Sequence, residues 1–133
     1  MSTTDLLLRW YDEVWNNDNA AYIDEGMHPS SVIHGLDPSG SFKGIGQFKA
    51  FHKDFRANFP SIHIKVTPLV SNEDTATGYC LVTGRSIDRM EVSFTGITVL
   101  KFTNGLVIES WNNFDFLKMY QQLGHILVSG IQD

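Results

Sequence analysis

At Pro60 the apolar residues of this chain change their spacing. Before it they recur every three or four residues; after it, in "SIHIKVTPLV", "TATGYCLVTGRSI", "MEVSFTGITVLKF" and "LVIESWNNFD", they alternate with polar ones. The first spacing is that of a helix face, the second that of a strand with one buried side. Four such strands are separated only by Asn72-Glu73-Asp74, Ser86 to Arg89 and Asn104-Gly105. Joints this short suit antiparallel neighbours, because a parallel pair needs a long crossover. The second half therefore reads as an antiparallel meander, and the first half supplies the helices that cover it.

Those helices can be placed. "STTDLLLRWYDEVWNND" carries Leu7, Trp10, Tyr11, Val14 and Trp15 on one face, with Ser2 or Thr3 as cap and Asn16-Asn17-Asp18 as its end. "NAAYIDEGM" predicts a shorter helix with Asp18 as its N-cap, after which His28-Pro29-Ser30 breaks the chain. "SVIHGLDPSG" predicts a short strand through Val32 and His34, then a turn at Asp37-Pro38 and Gly40. A long helix from Gly46 to Phe59 presents Ile45, Phe48, Phe51, His52, Phe55 and Phe59, and Pro60 stops it. Interior Gly78, Gly84 and Gly96 predict bulges or sharp bends. "FLKMYQQLG" predicts a last helix ending at Gly124. The order is ααβαββββα in a single domain over residues 1–133: an α+β fold whose curved, mostly antiparallel sheet wraps three to four helices. Its concave face leaves a funnel, the default ligand site.

Charge and motifs narrow the function. The net charge is -5, and the ten Lys and Arg are scattered from Arg9 to Lys118 without a basic run, which argues against nucleic acid or an anionic membrane as partner. No stretch of about 20 apolar residues exists, and "MSTTDLLLRWYDE" turns charged too soon for a signal peptide, so a cytoplasmic protein is expected. Cys80 has no partner for an internal disulfide and reads as a core residue. The five histidines show no H-x-H or H-x3-H spacing, and neither a phosphate-binding glycine loop nor a G-x-S-x-G elbow is found. No metal and no cofactor is expected.

The residue that asks for an explanation is Asp115, set between Phe114 and Phe116 and four residues after Trp111. A carboxylate among apolar side chains costs free energy unless it is paired, hydrogen-bonded or neutralised. Period two sends Glu109, Trp111, Asn113 and Asp115 to one side and Ile108, Ser110, Asn112 and Phe114 to the other. With the first set facing the funnel, Trp111 is a wall and Asn113 a neutral donor. A desolvated Asp115, raised from about 3.9, could then shuttle a proton beside a carbonyl. The competing reading makes Asp115 the cap of the last helix. A one-residue bulge before Trp111 would reverse which side chains face inward. Asp37 is a rival acid, though Asp-Pro-Ser-Gly is first a turn signal. His34 and His52 are further substrate-binding candidates, His52 being also readable as a core histidine. Trp15 and Phe48 are core aromatics that would line any pocket, and Arg85 with Asp88 reads as a solvated turn pair.

The segments "YDEVWNNDN", "FKAFHKDFRANFPSIHIKV" and "GLVIESWNNFDFLKMYQQLG", in this order, resemble the SnoaL-like polyketide cyclase branch of the nuclear-transport-factor-2-like superfamily. The resemblance implies an α+β cone, commonly a homodimer formed through the outer face of the sheet. It also implies an aspartate four residues after the strand tryptophan, here Asp115 after Trp111, as general acid and base in an intramolecular aldol closure. Asn113 stands where the family has a histidine. "LDPSG" also resembles the steroid isomerases of the superfamily, in which an aspartate before a proline moves the proton. The expected function is cyclisation or isomerisation of an apolar carbonyl-containing molecule; the alternative is a non-catalytic module for binding such a molecule or for dimerisation.

Overall fold

The first helix, α1 (Thr3–Tyr11), opens with a capping box: the Ser2 hydroxyl accepts from the Asp5 amide and the Asp5 carboxylate from the Ser2 amide. It widens into a π-helical turn, Asp12–Asn16, with Leu7, Trp10, Tyr11, Val14 and Trp15 all buried. Asn16 does more than end it. Its side-chain amide donates to the Ile64 carbonyl at 2.9 Å and accepts from the Ile64 amide at 2.7 Å, satisfying a strand residue as a neighbouring strand would.

The next helix, α2 (Ala21–Gly26), starts from Ala20 and not from Asp18. Asp18 sits at φ +50, outside the extended region a capping residue needs, and turns its carboxylate to Arg56 at 3.4 Å and His52 at 3.6 Å. His28-Pro29-Ser30 does not break the chain either. It forms the start of β1 (Met27–Asp37), where the pairing register shifts between Met27 and Val32 and a proline is tolerated. A four-residue strand absent from the expected order, β2 (Gly40–Lys43), follows at once. The computed structural model describes residues 1–38, 40–126 and 128–130, so Ser39 of the expected turn lies outside them. Next comes α3 (Gly44–Asn58), two residues earlier at its start than expected.

The alternating half forms β3 (Ser61–Ser71), β4 (Thr75–Arg85), β5 (Glu91–Thr103) and β6 (Leu106–Phe114), closed by the helix α4 (Phe116–Gln122). The sheet runs β2-β1-β6-β5-β4-β3, antiparallel except between β1 and β6. It is the α+β curled sheet expected, with one strand more.

Of the three interior glycines only Gly78 borders an irregularity, for its partner Pro68 opens the register shift between Pro68 and Ser71 of β3. Register between β4 and β5 is unbroken past Gly78, Gly84 and Gly96. Gly96 instead makes room for the Phe114 ring, which a Cβ there would strike. The shift that matters lies at the start of β6: Phe102 pairs with Val107 but Lys101 pairs with Glu109, so Ile108 is an extra residue opposite no partner. Val107 points inward and is 1% exposed, and strict alternation from it would bring Glu109 and Trp111 inward as well. The bulge reverses this: Ser110 is 3% exposed and Trp111 41%. The expected inward set of Glu109, Trp111, Asn113 and Asp115 is thereby corrected to Ser110, Asn112 and Phe114.

Candidate functional site

The concave side of the sheet and the helices across it enclose a hollow whose deep walls are Trp10, Trp15 and Phe48 from the helices and Ile33, Phe94 and Leu100 from the sheet. Its rim is half-buried: Leu36 from β1, Phe51 and Phe55 from α3, and Phe114 and Phe116 at the junction of β6 and α4. Phe51 and Phe55 lie 5.8 Å apart, and Phe114 and Phe116 6.0 Å apart, between ring centres. The closed hollow is narrow, about 50 Å³, inside about 590 Å³ of non-atom space that opens to solvent at the rim. Since one water takes about 10–15 Å³ by this measure, the resting cavity accepts a thin object and a larger one only if the rim rings turn.

Three neutral polar side chains, Tyr11, Ser110 and Asn112, interrupt the apolar wall, and the buried Thr98 completes a quartet with them. The Thr98 hydroxyl donates to Asn112 Oδ1 at 2.8 Å, and Asn112 Nδ2 donates to the His34 carbonyl at 2.9 Å and to Ser110 Oγ at 3.1 Å. Behind them the Tyr11 hydroxyl is hydrogen-bonded to the side chains of Thr98 and Cys80. Burial raises the Tyr11 phenol well above its ordinary value and pushes the Cys80 thiol up to about 12. Both stay protonated at neutral pH.

The expected site residues fall on both sides of the sheet. Trp15 and Phe48 line the cavity as expected. Asp115 does not. Its side chain is exposed and accepts from the Lys118 amide at 3.0 Å as the N-cap of α4, so the desolvation that a proton shuttle needs is missing and the competing reading of this residue is the one found. Trp111 and Asn113 are exposed on the outer face. His34 lies on that face too, with Nε2 2.8 Å from Glu109, Nδ1 2.7 Å from Ser41 Oγ and its ring stacked on Trp111. Only its backbone carbonyl touches the polar quartet. His52 is a satisfied core histidine: 3% exposed, its Nε2 donates to the Val14 carbonyl at 2.8 Å. Asp37 is not among the residues lining the hollow, and Arg85 pairs with Glu91, not Asp88.

Ser110, Asn112, Thr98 and Tyr11 were not singled out from the sequence. Thr98 was visible there, as the one hydroxyl in the inward series Val92, Phe94, Gly96, Thr98, Leu100 and Phe102. Among the described residues no group of three or more His, Cys, Asp or Glu converges as metal ligands would, and no helix is long and apolar enough to cross a membrane.

No curated protein matches the chain. Several solved structures do. A candidate polyketide cyclase from Bacillus cereus ATCC 10987 shares 28% identity at TM-score 0.80, over 92% of this chain and 80% of that one. A SnoaL-like candidate cyclase from Jannaschia sp. CCS1 shares 20% at TM-score 0.79, over 93% and 92%. IdmH, a candidate polyketide cyclase from Streptomyces antibioticus, shares 20% at TM-score 0.77, over 92% and 98%. The sequence profile of SnoaL-like polyketide cyclases matches residues 5–123, from the first turn of α1 to the end of α4. With its curled sheet, its cone and a match over most of its length, the chain belongs to the SnoaL-like polyketide cyclase family.

Proposed function

We propose that the cone receives a flat, uncharged, largely apolar molecule between the rim phenylalanines and holds it against Tyr11, Asn112 and Ser110, with Thr98 bracing Asn112. The observation that carries this reading is the chemistry of the wall, where aromatic and aliphatic side chains surround a few neutral polar groups, with no carboxylate, imidazole or amine among the described residues that line it. A charged ligand group would be stripped of water there and meet no counter-ion. The same wall speaks against proton shuttling by the protein, since among the described residues that line it Tyr11 is the one titratable side chain and is held protonated. Such a chamber can still favour ring closure by confinement, holding a flexible chain in a reactive geometry. Binding, with any cyclisation driven by confinement, is therefore favoured over acid–base catalysis by Asp115.

A thermal-shift titration with neutral polycyclic ketones and their carboxylated analogues tests this. The neutral compounds are expected to stabilise the protein, by about 2.7 kcal/mol at roughly a hundred times Kd, and the carboxylated ones to do nothing. Stabilisation by the carboxylated set alone would overturn the reading.

We also propose the homodimer through the outer sheet face. In support, Tyr79, Leu81, Ile97 and Trp111 are exposed there, with Tyr79 and Ile97 direct cross-strand partners. Sedimentation should find a dimer for the wild type and a monomer for Ile97→Lys.

A further inference from the structure

The polar quartet has a direction, and the direction singles out one atom. The His34 carbonyl can only accept, so the nitrogen of the Asn112 amide faces it and the oxygen faces Thr98. The Thr98 hydrogen is thus committed to Asn112 Oδ1. Asn112 spends its two N–H groups on His34 and Ser110. Ser110 Oγ is left as the acceptor at the end of the chain. Its own hydrogen meets no acceptor among the described residues, although the side chain lines the hollow and is 3% exposed.

A buried hydroxyl with an unspent proton is an incomplete site, because leaving a donor unmade in a dry place is costly. We infer that Ser110 donates a hydrogen bond to a carbonyl oxygen of the ligand, so that the cavity selects planar apolar ketones or quinones over hydrocarbons of the same shape. This rests on the cavity being the ligand site. The selection follows from the wiring: Ser110 is held in place by Asn112, Asn112 by Thr98 and the β1 backbone, and Thr98 by Tyr11. Tyr11 and Thr98 have no free hydrogen to offer, and Asn112 has none either. One unspent donor in a largely apolar wall fixes which edge of a flat molecule enters first. A hydroxyl on the ligand could accept in place of the carbonyl, but its own hydrogen would then need an acceptor.

The test is a matched pair, 1-tetralone and tetralin, which differ by one carbonyl. Binding is followed by NMR titration of the Trp10 and Trp15 indole resonances. The wild type should bind the ketone about tenfold more tightly, the value of one net hydrogen bond. Ser110→Ala should bring the two affinities together by weakening the ketone while leaving tetralin unchanged, and Ser110→Thr, which keeps the hydroxyl, should retain the preference. Equal affinities in the wild type, or a preference that survives in Ser110→Ala, would overturn the role of Ser110 and leave the cavity reading standing. If neither compound perturbs the two indoles, the cavity reading fails and this inference with it.

Discussion

Strands β5 and β6 are neighbours in the sheet and in the chain, yet one can be read from its letters and the other cannot. Along β5 burial alternates without a fault from Glu91 to Thr103, so Val92, Phe94, Thr98, Leu100 and Phe102 face the core as period two requires. Along β6 the same rule holds at Val107, fails at Ile108 and resumes one residue out of step. Nothing in "LVIESW" marks the skipped position, since Val, Ile and Trp all suit a strand and the glutamate is tolerated on either side of a bulge. The bulge becomes visible only in the pairing partner, where Lys101 and Phe102 are adjacent but their partners are two apart. One unpaired residue thereby decides whether the cone contains a carboxylate.

Deleting Ile108 erases that contrast. Without the extra residue, strict alternation from Val107 keeps Glu109 and Trp111 outward and Ser110, Asn112 and Phe114 inward, the facing that the bulge now gives. The variant is expected to keep a cooperative melt by circular dichroism. Loss of that melt would show that β6 needs the bulge itself and not only the facing it sets.

A gentler version compares one aromatic from each strand. Phe94 of β5 is 2% exposed and Trp111 of β6 41% exposed. Phe94→Ala is expected to cost about 3–5 kcal/mol, as deep aromatic truncations do. Trp111→Ala, though it removes the larger side chain, is expected to cost about 1 kcal/mol or less. Urea denaturation of both variants decides it, and equal losses would place Trp111 in the core after all.

How far the sequence could be read follows the same line. The change of period at Pro60, the cap at Ser2 or Thr3, the aromatic stripe of α3 and the turns between β3 and β6 are local signals, and each survived, the cap as Ser2. β2 has four residues, too few to show any period. Pro29 reads as a break but is tolerated at a register shift, a fact about its partner strand. Asp115 looked buried because Phe114 and Phe116 flank it. The strand ends at Phe114 and the helix begins at Phe116, so both rings turn to the hollow while the residue between them points out as a cap. The inward polar set depends on the bulge, and that is why Ser110 and Asn112 were assigned to the outer face.

The quartet that bridges the two strands predicts a pH dependence. Cys80 and Tyr11 both have their pKa raised by burial, the thiol from 9.0 to about 12 and the phenol upward from 10.0. The unfolded chain therefore releases these protons first. Stability should be level below about pH 9 and fall above it, by about 1.4 kcal/mol per pH unit for each proton the folded state retains. Cys80→Ala should remove the earlier part of that fall. A profile that stays flat to pH 11 would mean that neither group is as dry as its position indicates.

The smallest effect is expected at the residue that first drew attention. Asp115→Ala deletes the side-chain acceptor for the Lys118 amide at the start of α4, a helix of 7 residues. Loss of such a cap costs about 0.5–2 kcal/mol, and the lower end applies because water can reach the freed amide. Ligand binding in the cone should be unaffected, since the carboxylate does not line it. The pairing of a modest stability loss with intact binding and intact turnover separates a cap from a catalyst. A variant that kept its stability and lost turnover would reverse the assignment, for it would require the β6–α4 junction to rotate inward when a ligand is bound and the outward face of β6 to be a resting state.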